Sequence, residues 1–126
     1  MSVIVTDAGF APDDFQPGLA GDAVVLPSDT DPDTLEAATQ AQMVVVEFPS
    51  SADGRGFTLA RLLRLRGYRG RLRARGHVIA DQYAMARRAG FDEVEIDAAL
   101  AARQPEDQWI FRADWQSHDY QARLRG

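Results

Sequence analysis

Hydrophobic and polar positions along the chain fall into alternating strand-like and helix-like segments. Met43–Phe48 is a nearly unbroken apolar run rich in β-branched residues. That pattern predicts a strand covered on both faces, as in a parallel sheet. Ala23–Leu26 is a shorter apolar run stopped by Pro27, and Glu93–Asp97 alternates with Val94 and Ile96 on its inward side. Arg69–Arg75 also has period two, with Arg69, Arg71, Arg73 and Arg75 on one face and Leu72 and Ala74 on the other. It reads as a strand with one wet face, an exposed or edge strand defended by charge.

Between these runs the period becomes helical. Asp31-Pro32-Asp33-Thr34-Leu35-Glu36 has a capping aspartate, proline at the first position and acids in the first turn, which predicts a helix to about Gln40. After Asp53-Gly54-Arg55-Gly56, Leu59, Leu62 and Leu63 fall on one stripe of a helix ending near Gly67, with Arg61 and Arg64 towards the other side. A third helix spans about Val78–Ala89, with Ile79, Tyr83 and Ala86 on one stripe, Gly90 at the left-handed cap and Phe91 folding back. Residues 98–103 form a short fourth helix. Residues 1–22, rich in Asp, Pro and Gly, read as loop after a short strand at Ser2–Val5. Residues 104–126 form an aromatic tail, with Trp109, Phe111, Trp115 and Tyr120 packing on the domain or on a second copy.

The order β-α-β-α-β-α-β-α with short connections predicts one α/β domain over 1–126, with a mainly parallel sheet of four to five strands and right-handed crossovers. A half-barrel-like arrangement fits successive short βα units. Its open edges and uncovered apolar face would lead to a homodimer. At 126 residues the chain is too short for a complete eight-fold barrel, which needs roughly 200 or more.

Composition narrows the chemistry. There is no cysteine, so thiolate nucleophiles, thiol redox chemistry and cysteine-bound clusters are excluded within these residues. The net charge is −5, unevenly placed: residues 1–53 hold ten acids and no base, residues 54–126 fourteen arginines and nine acids. The acidic total argues against general nucleic-acid binding. The split favours electrostatic orientation of a partner or second copy. No stretch approaches the roughly 18 apolar residues of a membrane span, and the N-terminus lacks a signal-peptide pattern. The expectation is a cytoplasmic protein that does not engage membranes.

The strand–turn–helix unit at residues 44–58 carries the clearest chemical signal. A glycine-rich turn before a helix brings backbone N–H donors and the positive helix end together with Arg55, a setting suited to a small anion. Asp53, Gly54, Arg55 and Gly56 are the first candidate ligand-binding residues, for sulfite, sulfate, phosphate or a substrate carboxylate. The competing reading is structural: Asp53 caps the helix, Gly54 makes the turn and Arg55 pairs with a nearby acid. Glu47, within an apolar strand, is either a candidate acid–base group or the partner of a local arginine. Asp81 and Gln82 open the helix after the arginine strand, where they can meet Asp53 and Arg55 across the top of the sheet; a first-turn acid is the plainer role for Asp81. Arg73 is the ladder arginine kept as a candidate. His77 and His118 lack a metal-ligand spacing, no P-loop or nucleophile elbow is present, and Leu59 stands where a dinucleotide fingerprint needs its third glycine. No cofactor is expected.

The block Glu47–Asp97 resembles the bacterial family DUF934. The likeness is carried by Phe48-Pro49, Asp53-Gly54-Arg55-Gly56-Phe57, Ala60-Arg61-Leu62-Leu63-Arg64, Gly70-Arg71-Leu72-Arg73-Ala74, Gly76, Asp81-Gln82 and Arg88-Ala89-Gly90-Phe91-Asp92. Members of that family commonly lie beside genes for assimilatory sulfite reductase and are often labelled as oxidoreductases of sulfite reduction. The resemblance therefore implies a role in sulfur assimilation, with sulfite reductase as a partner; electron transfer would belong to a partner or to a flavin. Three functions stand: an accessory protein without its own redox centre, a small-anion-binding enzyme or sensor, and a structural or assembly subunit.

Overall fold

The segments assemble into one six-stranded sheet. The structure, a computed structural model, describes residues 2–12, 23–111 and 113. Strands β1 (Ser2–Thr6) and β2 (Gly9–Ala11) open the chain, followed by β3 (Ala23–Leu26). A 3-10 turn at Pro32–Thr34 leads into α1 (Leu35–Ala38), then β4 (Met43–Phe48), α2 (Arg55–Leu65) and β5 (Arg71–Gly76). A second 3-10 turn, Ala80–Gln82, leads into α3 (Tyr83–Ala89); β6 (Glu93–Asp97), α4 (Ala98–Arg103) and α5 (Glu106–Phe111) complete the order.

The sheet runs β2-β1-β6-β5-β4-β3. Strands β3 to β6 are parallel and sit side by side in chain order, as successive βα units predict. Two antiparallel strands extend the sheet beyond the four expected parallel ones: β1 pairs with β6, and β2 with β1. The loop expected after the first strand is thus a hairpin as far as Ala11; the remainder of the segment, 13–22, lies outside the described residues, as do Trp115, His118 and Tyr120. The hairpin is tied to α3, where the Tyr83 hydroxyl donates to Asp7 Oδ1 at 2.5 Å and Arg87 pairs with Asp7. Burial first, and then donation to Asp7, push the Tyr83 phenol pKa up.

One face of the sheet carries the main core. Val44, Val46, Leu72, Ala74, Val94 and Ile96 pack with Leu35, Leu59, Leu63, Tyr83 and Ala86 from the helices. Trp109 of α5 joins them, 1% exposed and edge-on to Tyr83. Leu62, read as part of the buried stripe, is only partly buried. Gly90 adopts the left-handed cap and Phe91 donates its N–H back to Ala86 O. Arg64 is not a solvated face residue. Its guanidinium donates to the Tyr68, Gly70 and Gly90 carbonyls and so joins α2 to both neighbouring turns.

The opposite face corrects the reading of the arginine strand. β5 is central, not an edge, and its arginines meet a ladder of glutamates in register. Glu93 accepts from Arg71 at 2.6 Å and from Arg73 at 2.5 Å; Glu95 accepts from Arg73 at 2.9 Å. Arg73 is 2% exposed. Burying a guanidinium demands paired counter-charge, and two carboxylates of β6 supply it.

Candidate functional site

The carboxyl ends of parallel strands are where α/β folds gather ligand-binding residues, because each crossover places its turn there. In this protein the ends of β3, β4 and β5 frame a cleft of about 450 Å3. Pro27, Ser28 and Asp29 follow β3; Glu47, Phe48 and Pro49 end β4; Arg55 opens α2; Arg75, Gly76 and His77 end β5.

The Asp53–Arg55 turn forms one side. The Arg55 guanidinium grips Asp53 through two bonds, Nε to Oδ1 at 3.0 Å and Nη2 to Oδ2 at 2.8 Å. Asp53 Oδ1 also accepts the Arg55 backbone N–H at 3.1 Å, and Ser28 Oγ donates to Oδ2 at 2.6 Å. The guanidinium beside it, then the Ser28 hydroxyl and the Arg55 amide, hold the Asp53 carboxyl well below the usual carboxylate range. Its hydrogen bonds to Asp53 raise the pKa of Arg55 in turn. Gly54, rather than Asp53, occupies the helix cap position, and Asp53 binds the first helical N–H from one residue further out.

Because the folded pKa of Asp53 is depressed, the cluster's contribution to stability is present above the ordinary aspartate pKa of about 4 and fades as acid protonates it. Urea unfolding between about pH 4 and pH 2 is expected to show a steeper loss of stability in the wild type than in Asp53→Asn. Parallel curves would mean that the cluster is not linked to folding.

The two glycines of the turn differ from their sequence reading. A Cβ on Gly54 would meet open space, whereas one on Gly56 would sit 2.5 Å from the Phe48 ring. Gly56 is buried, and it lets α2 pack closely on β4; it does not open backbone to a ligand.

Glu47 pairs with Arg75 Nη2 at 3.0 Å on the opposite wall of the cleft. Gln82 reaches across to the β4–α2 loop, its Nε2 donating to Ser51 O at 2.6 Å while its Oε1 caps Ile79 N–H. Gln82 thus reaches the β4–α2 loop at Ser51 rather than at Asp53 or Arg55. Asp81 lines a separate depression with Asp107, Gln108 and Phe111. Arg73 lies mid-strand in the buried ladder and does not line the cleft. Ser28 and Asp29 escaped the sequence reading; their position after the apolar run that Pro27 stops is the signal that marks them.

Among the described residues no group of three or more His, Cys, Asp or Glu side chains is arranged to hold a metal ion. No described helix is long and apolar enough to cross a membrane.

Residues 23–126, from β3 onward, match the family described as bacterial protein of unknown function (DUF934). The chain belongs to the DUF934 family. No curated protein and no solved structure matches it. The DUF934 match includes every residue of the cleft and leaves out the β1–β2 hairpin.

Proposed function

We propose that this DUF934 protein is an accessory protein of sulfur assimilation that binds a small oxyanion in the cleft at the ends of β3, β4 and β5. The observation that carries the reading is a pair of half-used guanidiniums. Arg55 is fixed along its Nε/Nη2 edge by Asp53, and Arg75 through Nη2 by Glu47. Both line the cleft, and among the described residues neither Nη1 has a hydrogen-bond partner. A guanidinium fixed by a carboxylate on one side presents its remaining donors in a set direction, which favours charge-assisted binding of an oxyanion. Sulfite, sulfate, phosphate and a substrate carboxylate all match that donor set; the genes that commonly neighbour members of the family favour sulfite and sulfate. Without cysteine, the role is binding and delivery to a partner, with sulfite reductase as the proposed recipient.

Thermal unfolding with sulfate or sulfite titrated at constant ionic strength tests this. The wild-type melting temperature is expected to rise with anion. Arg55→Ala should abolish the rise; the loss of its pair with Asp53 lowers the melting temperature in buffer separately, so the anion effect is read as the shift within each variant. An unchanged rise in the variant would sink the reading.

A structural or assembly subunit is the second reading. It is favoured by the same hydrogen bonds seen as a local lock, and by Gly56 serving packing. Affinity capture at low salt from cells growing on sulfate separates the partner proposals: sulfite reductase recovered and then lost at high salt indicates an electrostatically docked accessory protein, while a second copy alone indicates a homodimer.

A further inference from the structure

We propose that the cleft is one half of a longer groove, with a second anionic subsite at Arg103, and that the preferred ligand is an elongated metabolite with an anionic group near each end. This rests on the anion reading of the first cleft. A second depression, of about 160 Å3, lies at the ends of β5 and β6 and shares Arg75, Gly76 and His77 with the first. The two therefore meet at the end of β5. Arg103, the last residue of α4, lines the far side.

The charges along this groove are unequal in availability. Glu47 is taken by Arg75, Glu95 by Arg73, and an Asp97 oxygen by the Leu100 N–H at 2.8 Å. Arg103 is exposed and, among the described residues, has no hydrogen-bond or ion-pair partner. Arg55 belongs to the loop and helix after β4 and Arg103 to the helix after β6, and those two strands lie two interstrand spacings apart, or about 10 Å. Phe48, Gly76, Ile96 and Leu100 lie between the two ends. Cationic ends, with Phe48, Ile96 and Leu100 beside the shared Arg75 and His77 between them, suit a ligand with two anionic groups separated by an apolar or aromatic body.

A ruler of α,ω-dicarboxylates from malonate to sebacate, with sulfate as the single-anion probe, tests the geometry by calorimetric titration of the full chain. The longer members are expected to bind about tenfold or more tightly than malonate, because the second contact is intramolecular. Arg103→Ala should reduce them to the malonate level and leave sulfate binding unchanged; Arg55→Ala should lose sulfate. Circular dichroism checks that both variants are folded. If sulfate binds and depends on Arg55, but affinity is flat with length or survives Arg103→Ala, the second subsite is wrong and the first reading stands. If the wild type binds neither sulfate nor any dicarboxylate, both fall.

Discussion

Glu93→Ala is expected to cost about 3–5 kcal/mol of folding stability, the largest effect of any single side-chain truncation in the ion-pair ladder. Glu93 is 5% exposed and holds two arginines, Arg71 and Arg73, the second of them 2% exposed. Removing the carboxylate takes from the Arg73 guanidinium one of the two β6 carboxylates that pair with it, in a site with little access to water. The penalty comes from the stranded cation more than from the lost bond. Combining Glu93→Ala with Arg73→Met should therefore cost less than the sum of the two single changes. Chemical denaturation of the two single variants and the double variant checks this; additive costs would mean that the ladder is solvated rather than buried.

Gly76→Ala is the second large effect. Gly76 has φ +120°, and a Cβ there would lie 2.5 Å from the Phe48 carbonyl oxygen. The backbone of β4 would have to move, because a carbonyl cannot rotate away as a side chain can. Gly67 separates the two sources of strain: its φ is +91°, but a Cβ would meet nothing within 4 Å. Gly67→Ala is expected to cost about 1 kcal/mol from conformation alone, and Gly76→Ala at least about 2 kcal/mol more. In melting temperature the extra loss is roughly 3–5 °C per kcal/mol for a chain of this size. Gly76→Ala should also weaken anion binding, since Phe48 and Gly76 both line the cleft. Equal melting temperatures for the two variants would show that the close approach is relieved without cost.

Much of the fold was legible because burial and periodicity agree. Ala23–Leu26, Met43–Phe48, Glu93–Asp97 and the helix at 98–103 lie where their apolar patterns end against Pro27, Pro49 or polar residues. β2 was not legible: Gly9–Ala11 has three residues and is a strand only because β1 lies beside it. The arginine strand had its period read correctly and its surroundings read wrongly. Alternating arginine looks like a wet face until it is set beside the alternating Glu93 and Glu95, which belong to a strand that pairs with it in register. At the candidate site, Asp53 and Arg55 were visible as a turn motif, and Glu47 as an acid in an apolar strand. Ser28 had no local signal beyond its place after a strand, and the Glu47–Arg75 wall depends on register. Asp81 and Gln82 share a turn but diverge, since only the longer amide reaches Ser51.

The pairing of β1 with β6 has a consequence for how the chain is made. Strands β3 to β6 can add one after another as they leave the ribosome, each beside the strand synthesised before it. β1 emerges before the other described strands, yet its partner β6 is the last of them to appear: Ser2 pairs with Asp97. Until then β1 has only β2 beside it, a short hairpin of a kind that is marginal alone, and pairing with β6 requires closing a long loop. Of the six described strands, the first to be made is the one whose second neighbour comes last.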